Sequence, residues 1–404
     1  MSRRYVAAFI GPRDAYELPL ALAEKDILER LVTDFYLPDW ARPLIGGVPP
    51  RLAERLGKRY RAQLSSKLVE NNWGSLFRQL RDPHRRRDPI TMAFLMDKAL
   101  STRAGAIARE TDSNLFLHNG AGYWAFDACL DRQRLLFQFH PHSAFLYPLL
   151  AQDVERFPEV RHSFATEYDS APLEGFAPEH LIEWRLATAV LCASSFTKRS
   201  LVAQGCASDL IKVAPYGGEP LLTHLARPAK ARRRCQFLFV GQGVQRKGLH
   251  HLLRAWRSAD LKCCDLRLVC TRLDPGLLPL TDQPNVTLSA KVSLGELHAV
   301  YARSDIFVMP SIAEGFGLVY LEAMSAGLHC IGSRNTGLPD LHPPADIASL
   351  VDAGDLDGLA ESLIGAYRQW STRAIDPETI RRFSQKRAWR DFRSDVQSFA
   401  HRAA

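Results

Sequence analysis

The sequence predicts an α/β protein made of two doubly wound domains. Short apolar runs alternate along the chain with longer amphipathic stretches, which is the pattern of βαβ units in parallel sheets. The runs are almost continuously apolar, as expected for strands that helices cover on both faces. A chain of 404 residues provides for roughly two or three domains. With 46% hydrophobic and 24% charged residues, the composition excludes a mainly disordered, collagen-like or coiled-coil protein.

Two sets of strands are predicted, one in each half of the chain. The first set comprises residues 5–10, 114–118, 135–140, 189–193 and 211–214, and the second comprises residues 236–240, 266–270, 285–288, 306–309 and 329–331. The amphipathic stretches predict helices, among them residues 15–30, 247–257, 294–302, 318–326 and 356–370. An apolar stripe at helical spacing predicts a long C-terminal helix over residues 378–402.

The segment between the two sets interrupts the periodicity. Residues 216–234 contain Gly-Gly, two prolines and a basic run, which are typical of a linker. We therefore expect an N-terminal domain over residues 1–216 and a second domain over residues 217–385. Residues 41–110 fit the βα rhythm poorly and are interpreted as a basic helical insertion in the first domain.

The formal net charge of +8 lies in that insertion. Residues 51–110 hold 14 Lys and Arg against 6 Asp and Glu, so the rest of the chain is neutral in sum. A local basic surface favours an anionic partner, either a membrane or a nucleic acid. Trp40, Trp73 and Phe77 could add an apolar, membrane-facing component. The basic side chains expected to make these contacts are Arg51, Arg55, Lys58, Arg59, Arg85, Arg86 and Arg87.

A solvated basic face without a membrane role explains the same charge equally well. A nucleic acid is not expected as a partner, because no binding module is recognisable. The eight cysteines form no CxxC pair, which favours a reducing compartment. No apolar run approaches the ~20 residues that span a bilayer, and residues 5–10 are too few for a signal-peptide core. These features predict a cytoplasmic protein, with peripheral attachment to the inner face of the membrane if the basic segment binds lipid.

Two glycine-containing segments carry the chemistry of an anion site. In FLFVGQGVQRKGLHHLL, residues 237–253, an apolar strand runs into a turn with Gly241, Gly243 and Gly248 and the cations Arg246 and Lys247. Glycines permit close approach of the backbone to a ligand, and cations beside a helix start favour a phosphate. The segment matches neither GxGxxG nor a P-loop. An ordinary strand–turn–helix with a solvated lysine is therefore an equally acceptable interpretation of this segment alone.

The second segment is PSIAEGFGLVYLEAMSAGLHCIGS, residues 310–333. Gly315 and Gly317 precede a helix start near Leu318, and their N–H groups could cradle a diphosphate. Glu314 follows the carboxyl end of a strand, where open α/β sheets bind ligands, and Glu322 lies one turn into the helix. Carboxylates beside a diphosphate would repel it unless they bind hydroxyls, so the pair indicates a sugar or ribose. For Glu322 alone, an interaction with the helix dipole is a sufficient explanation.

A pair of histidines follows a strand of the first domain. In RLLFQFHPHS, residues 134–143, the strand ends at His140 and His142, so His140 is expected to face the cleft and the transferred group. A hydrogen-bonded histidine at a strand end is the alternative, and this alternative is stronger for His118. No carboxylate or cysteine lies at ligand spacing beside His140 and His142, so no metal site is expected. His250 and His251 lie within a predicted helix and are expected to be surface or packing residues.

These segments resemble a known family. Glu314-x7-Glu322 with Gly-Phe-Gly after the first glutamate resembles the signature of family-4 retaining glycosyltransferases, and the turn that ends in Lys247 is similar to the family's first phosphate-binding segment. Residues 187–205, 211–218 and 285–311 are also similar to family segments, whereas residues 1–110 match loosely. The resemblance implies the GT-B fold, in which two Rossmann-like domains face a cleft. It also implies that a C-terminal helix, residues 386–404, packs back on the N-terminal domain.

The resemblance implies transfer of a sugar from a nucleotide sugar to a hydroxyl group, with retention at the anomeric carbon. The expected acceptor is a glycan or a lipid-linked glycan of cell-envelope polysaccharide synthesis. The expected enzyme is a retaining hexosyltransferase with a UDP-sugar as donor, and no metal or other cofactor is expected. The implied catalytic residues are His140, Glu314 and Lys247. The implied donor-binding residues are Gly241, Gln242, Arg246, Lys291, Val292, Gly315, Phe316, Gly317, Leu318 and Glu322.

Each role is carried over by position. Lys247 and the backbone N–H groups of residues 315–318 would hold the diphosphate, while His140 would lie near the donor sugar. Glu314 would bind sugar hydroxyls, and Glu322 would bind the ribose. The backbone at Lys291 and Val292 would meet the base.

The chain also departs from the family pattern. Gln242 stands where the family usually has Arg, and the loop after the first strand keeps a single glycine, Gly11. Gln242 favours one alternative, a non-catalytic nucleotide-sugar-binding subunit that partners an active transferase, whereas the retained Lys247, Glu314 and Glu322 weigh against it. A dinucleotide oxidoreductase is disfavoured because no GxGxxG follows an early strand.

Overall fold

Two parallel sheets organise the computed structural model, which describes residues 4–72, 89–166, 178–219, 234–290 and 292–402. The first sheet has the strand order β3-β2-β1-β4-β5-β6-β7, and the second has the order β10-β9-β8-β11-β12-β13. The strands of the first sheet are β1 (Tyr5–Phe9), β2 (Leu28–Thr33), β3 (Val69–Asn71), β4 (Asn114–His118), β5 (Arg134–Gln138), β6 (Ala189–Cys192) and β7 (Ile211–Val213). Those of the second are β8 (Cys235–Gly243), β9 (Cys264–Leu273), β10 (Val286–Ser289), β11 (Ile306–Met309), β12 (His329–Ser333) and β13 (Ala348–Val351).

Helices connect the strands of each sheet. Those before the second sheet are α1 (Glu17–Ala23), α2 (Pro50–Gly57), α3 (Pro89–Glu110), α4 (Tyr123–Asp127), α5 (Ser143–Arg156), α6 (Arg161–Thr166), α7 (Pro178–Leu186) and α8 (Ser195–Val202). Those that follow are α9 (Leu249–Ala259), α10 (Leu278–Thr281), α11 (Leu294–Arg303), α12 (Leu318–Ser325), α13 (Leu356–Ser371), α14 (Pro377–Ser384) and α15 (Trp389–Arg402). The arrangement is that of two Rossmann-like domains, as the strand and helix periodicity predicts.

Each sheet has a point at which the strand order reverses. In the first sheet this point lies between β1 and β4, which pair in parallel, and in the second it lies between β8 and β11. Open α/β sheets bind ligands in the crevice outside the carboxyl ends of the strands at such points. A site is therefore expected at the loops after β1, β4, β8 and β11.

Apolar side chains cover both faces of the first sheet. One face packs Tyr5 and Phe116 against Phe392 and Phe399 of α15, and the other packs Val6 and its neighbours against α3. The last helix of the chain thus lies on the first sheet, as the GT-B resemblance implies. The segment between helices α5 and α6 packs on the other domain, because Phe157 and Val160 belong to the core of the second sheet.

Three sequence predictions about the elements are wrong in part. The helix predicted over residues 15–30 ends at Ala23, and its last residues begin β2, since Leu28, Leu31 and Val32 are buried in the sheet. The long C-terminal helix is interrupted between α14 and α15. Within the predicted helical insertion, Val69–Asn71 is strand β3 of the sheet, and α3 packs on β1 with Ile107 buried. Regular sheet packing explains these segments better than an insertion.

Part of the basic segment lies outside the described residues. Trp73, Phe77 and the arginines Arg85, Arg86 and Arg87 fall there, as does Lys291. In the described part of the chain, no helix combines the length and apolar character needed to cross a bilayer.

Candidate functional site

The first loop of the site (residues 241–248) connects β8 to α9. Strand β8 contains a bulge between Gly241 and Gly243, so Gln242 lies outside the regular ladder and is exposed. A short 3-10 turn, Gln245–Lys247, then presents its cations before α9 begins. Gly248 has a φ of 66°, and a Cβ there would lie 2.0 Å from the carbonyl oxygen of Pro310. Only glycine allows this close approach, which holds the first loop against the end of β11.

The second loop of the site (residues 310–317) connects β11 to α12. The backbone N–H of Ile312 donates to the carbonyl of Arg246 at 2.9 Å, so the two loops are joined by a hydrogen bond. The N–H of Glu314 donates to the carbonyl of Asn335 at 3.0 Å. Gly317 has a φ of 90° and precedes α12. The N–H groups of the first turn of this eight-residue helix have no partner within the helix, and they lie beside the second loop.

Two cations meet one carboxylate where these loops come together. The Lys247 ammonium forms an ion pair with Oε2 of Glu314, and an Arg246 guanidinium nitrogen lies 3.1 Å from the same oxygen. All three side chains are less than one fifth exposed. Burial raises the pKa of Glu314, but Lys247, Arg246 and His140 together outweigh burial and hold the pKa below its usual range. Glu314 is therefore an ionised hydrogen-bond acceptor at neutral pH.

The first domain closes the other side of this cluster. A Cβ on Gly315 would lie 1.9 Å from the carbonyl oxygen of Phe139 and 3.3 Å from the Cα of His140. The loop after β5 and the second loop are thus in backbone contact. Thr197 of α8 adds a hydrogen bond to the Gly315 carbonyl at 3.3 Å. The structure accordingly brings His140, Glu314, Lys247, Arg246 and Gly315 together.

A cavity of about 470 Å³ opens beside His140. It lies at the carboxyl ends of β1, β4 and β5, and Arg246 of the second domain contributes to its wall. Phe9 and Phe139 supply apolar faces. Such a mixture of apolar walls and a few convergent polar groups is typical of a small-molecule site. The polar lining includes Arg13, Asp97, His118, Asn119, Gln138 and Glu183.

Glu322 is held by a neighbouring helix. It lies on α12, and the Tyr301 hydroxyl of α11 donates to its Oε2 at 3.0 Å. Burial raises the pKa of Glu322, and the Tyr301 hydrogen bond opposes this effect. Val292 precedes α11 and packs against the core of the second sheet. The ligand roles of Glu322 and Val292 stay predictions.

Phe316, Leu318 and His142 make packing or helix-capping contacts in the structure. The Phe316 side chain is 3% exposed and packs on Tyr216, so any part that it plays in binding belongs to its backbone. Leu318 packs among the same apolar side chains. His142 caps α5, since its Nδ1 accepts from Ala144 at 3.2 Å and its Nε2 donates to the carbonyl of Leu181 at 2.9 Å. With both ring nitrogens engaged, His142 has no free position for a metal.

Two acidic residues of the cavity escape sequence reasoning. Asp97 lies on α3, and burial raises its pKa to about 7. Glu183 lies on α7, and its oxygens accept from the N–H groups of Gly120 and Gly122 at 2.7 and 2.9 Å. Burial raises the pKa of Glu183 to about 8 against these bonds. Neither residue follows a strand or belongs to a motif, so the chain offers no local signal for them.

Comparison with known proteins assigns the second domain to a family. Residues 234–369 match the family model described as Glycosyl transferases group 1. The chain is 35% identical over 112 residues to the sulfoquinovosyl transferase SQD2 of Arabidopsis thaliana, a match that covers 27% of this chain and 22% of that protein. It is 29% identical over 166 residues to the capsular polysaccharide biosynthesis glycosyltransferase CapM of Staphylococcus aureus, covering 39% and 42%. The chain thus spans less than half the length of these relatives.

Solved structures extend the likeness to both domains. Anabaena Alr3699/HepE in complex with UDP superposes with a TM-score of 0.60 at 14% identity, over 99% of either chain. At this identity the likeness establishes the fold alone. Residues 234–369 therefore match the family model of the glycosyl transferases group 1, and the chain as a whole has the GT-B fold.

Proposed function

We propose that the protein is a glycosyltransferase that moves a sugar from a nucleotide sugar to a hydroxyl of a glycan or lipid-linked acceptor. One observation carries this proposal. Lys247 and Arg246 converge on ionised Glu314 at the start of α12, and Gly315 there contacts the backbone of Phe139 and His140. Cations for a diphosphate and a carboxylate for sugar hydroxyls therefore lie together in the cleft between the two domains.

The cations would stabilise the leaving group. Negative charge grows on the diphosphate as the bond to the sugar breaks, and preorganised cations and N–H dipoles stabilise such charge strongly in a water-poor site. Lys247, Arg246 and the N–H groups at the start of α12 supply them. A diphosphate would compete with Glu314 for both cations, which leaves the carboxylate available to hydroxyl groups of the sugar. We propose that no metal is required, because these groups take over its role.

The cavity beside His140 would hold the acceptor. We propose that the reaction proceeds with retention, as in family-4 transferases, with the acceptor hydroxyl attacking from the face that the phosphate leaves. The departing phosphate would take the proton of that hydroxyl. We propose residues 1–216 as the acceptor domain, 217–385 as the donor domain, and 386–404 as the helix that returns to the first domain.

We propose a UDP-sugar as donor and cell-envelope polysaccharide synthesis as the setting. The UDP complex of Alr3699/HepE and the capsular role in the name of CapM support these choices. The test is a thermal-shift screen with UDP-, GDP- and ADP-sugars, since a ligand that binds the folded state alone raises its stability. A stabilising donor is then assayed for slow hydrolysis.

Lys247→Ala should abolish this hydrolysis with the unfolding temperature nearly unchanged. Glu314→Gln should also lower it, by roughly tenfold to a hundredfold, because a hydrogen bond from a sugar hydroxyl to a charged acceptor contributes about 1.5–3 kcal/mol. Lys212→Ala, an exposed lysine on β7, is the matched control and should behave as wild type. Near-normal turnover by Lys247→Ala would remove its phosphate role.

The alternative of a non-catalytic nucleotide-sugar-binding subunit is favoured by one position. Gln242, at the bulge of β8, is exposed and uncharged where the family usually has Arg. Binding of a nucleotide sugar without turnover, with any acceptor, would establish this alternative. Hydrolysis that depends on Glu314 would exclude it.

We further propose that the protein works at the cytoplasmic face of a membrane. Trp40, Leu44 and Leu52 are 75%, 64% and 45% exposed on the surface formed by residues 39–57. Arg42 and Arg55 lie exposed among them, so the surface combines apolar insertion with attraction for anionic lipid. None of the eight cysteines forms a disulfide, which fits a reducing compartment.

Co-sedimentation with vesicles tests this surface. Wild type should bind vesicles with about 30% phosphatidylglycerol at ~0.15 M salt and should not bind pure phosphatidylcholine. The double variant Trp40→Ser, Leu44→Ser should lose most of this binding. Leu278→Ser, which changes a residue 53% exposed on the second domain, is the control. No binding by wild type would exclude the membrane role.

A further inference from the structure

A buried cluster joins helix α5 to the first loop of the site. Asp153 of α5 accepts hydrogen bonds from Nε2 of His251 at 2.8 Å, Nε2 of His250 at 3.0 Å and Nε2 of Gln245 at 2.9 Å. The side chains of Asp153, His250 and His251 are at most 9% exposed, and Gln245 is 1% exposed. The two histidines are therefore more than the surface or packing residues that the sequence predicts.

The surroundings of the two histidines determine the direction of their hydrogen bonds with Asp153. Among the described residues, Nδ1 of His250 and Nδ1 of His251 are buried without a hydrogen-bond partner. A proton on either nitrogen would be an unsatisfied buried donor, which costs more than an unused acceptor. Each ring therefore donates its Nε2 proton to Asp153. Burial raises the pKa of Asp153, but the hydrogen bonds from the two histidines outweigh it and lower the pKa overall.

Asp153, His250 and His251 also have ligand atoms close enough together to hold a metal ion, within the part of the chain that the structure describes. A metal bound through both Nε2 atoms would leave each Nδ1 as a buried N–H without an acceptor. Metal-binding histidines normally donate that proton to an acceptor in the surrounding shell. The geometry therefore favours a hydrogen-bonded cluster over a metal site. We call this cluster of Asp153, Gln245, His250 and His251 the clamp.

The clamp contacts the chain before and after Lys247, through Gln245 in the first loop and His250 in α9. Lys247 comes two residues after Gln245 and three before His250. The backbone N–H of Gln245 also donates to the Ser163 hydroxyl of α6 at 3.0 Å. We propose that Asp153 is a positioning residue that sets Lys247 in place for the donor diphosphate, an inference that rests on the proposed function.

Helix α5 gives this clamp a link to the other half of the site. The helix begins at Ser143, three residues after His140, and carries Asp153 near its last turn. One helix thus connects the turn of His140, which follows the first sheet, with the loop of Lys247, which follows a strand of the second sheet. Loss of the clamp should therefore misplace the cations relative to His140, and misplacement by about 1 Å can cost roughly a hundredfold in rate.

The test compares binding with stability. Wild type, Asp153→Ala, Asp153→Asn and the control Glu155→Gln, an exposed carboxylate on the same helix, are each titrated with UDP, GDP and ADP by calorimetry. Asp153→Ala should weaken binding of the preferred nucleotide by roughly tenfold, the scale expected for a displaced charged hydrogen bond. Asp153→Asn, which keeps the shape and one acceptor, should lose less, and Glu155→Gln should lose nothing.

Unfolding temperatures separate a positioning role from a structural one. A lower unfolding temperature with unchanged nucleotide affinity in both Asp153 variants would overturn the inference and leave the proposed function intact. If Asp153→Ala does not fold, Gln245→Leu in combination with Asp153→Asn replaces it, and non-additive losses of affinity would support one network. Absence of nucleotide binding by the wild type would overturn the proposed function and this inference with it.

Discussion

Glu322 shows how much a single residue's role depends on its neighbour. Tyr301 donates to one carboxylate oxygen, and we propose that the other oxygen accepts from a ribose hydroxyl beside α12. Replacing the residue by alanine should weaken binding of the preferred nucleoside diphosphate by tenfold to a hundredfold, because a hydrogen bond to a charged group contributes about 1.5–3 kcal/mol. Calorimetric titration measures the loss. Glu361→Ala, which changes an exposed residue of α13, serves as the control, and unchanged affinity in Glu322→Ala would remove the ribose assignment.

Glu183 should impose a pH dependence on stability. Its pKa is raised from 4.5 to about 8, chiefly by burial, so between these values the folded protein holds a proton that the unfolded chain releases. Stability from this group is complete below the unfolded pKa and is lost as the pH rises towards about 8.

Glu183→Gln should therefore be stabilised relative to wild type as the pH rises from 5 to 9. Thermal unfolding of both proteins over that range measures the difference. Asp97 also raises the pKa of Glu183 through charge repulsion, so an Asp97→Asn variant is unfolded over the same range to separate the two groups. Parallel curves for the two proteins would show that Glu183 does not hold a proton in the folded state.

At the scale of elements, the contact between two loops that follow strands sets the geometry of the site. Gly315 meets the carbonyl of Phe139 so closely that a methyl group would lie 1.9 Å from its oxygen. Gly315→Ala should push the loops apart and lower kcat/KM by roughly a hundredfold. Gly295, in the first turn of α11, has open space where a methyl group would lie, and its replacement by alanine should be neutral or stabilising by up to about 1 kcal/mol. Equal kcat/KM for Gly315→Ala and Gly295→Ala would show that activity does not depend on the close contact between the loops.

At the scale of the whole molecule, α15 ties the end of the chain to the first domain. Phe392 is fully buried, with its ring 5.7 Å from Phe137 and 5.2 Å from Tyr216. Arg393 of the same helix pairs with buried Glu17. Phe392→Ala should reduce the free energy of unfolding by about 3–5 kcal/mol, measured by urea denaturation. Val202→Ala, which changes a residue 41% exposed, should change it little, and a similar small loss in Phe392→Ala would mean that α15 is not part of the cooperative unit.

Another contact between the two domains is electrostatic. Asp340, in the loop after β12, accepts hydrogen bonds from the Ser195 N–H at 3.0 and 3.1 Å and from its hydroxyl, at the first turn of α8. A carboxylate from one domain thus satisfies the helix start of the other. Together with the Asp153 clamp, this contact fixes the two domains around the cleft.

The sequence by itself determined the fold class and the residues at the ends of its strands. Continuously apolar runs predict buried parallel strands, and the residues that follow neighbouring strands meet at one edge of a sheet, which brings Lys247 and Glu314 together at the second sheet. His140 follows a strand of the first sheet, and its place beside the donor sugar was predicted from the resemblance to family-4 glycosyltransferases. The two strands at one side of the first sheet were harder to predict. Arg30 lies among the residues of β2, and β3 has only three residues, so local pattern did not separate them from helix or loop.

The tertiary structure alone decided the remainder of the site. Asp97, Asp153 and Glu183 lie on helices, where an acidic residue is ordinarily a solvated surface group. Their roles depend on which helix packs over which loop, and that choice results from burial across the two sheets rather than from neighbours in sequence. The sequence shows which groups can bind a diphosphate, but packing between the domains determines where those groups are held.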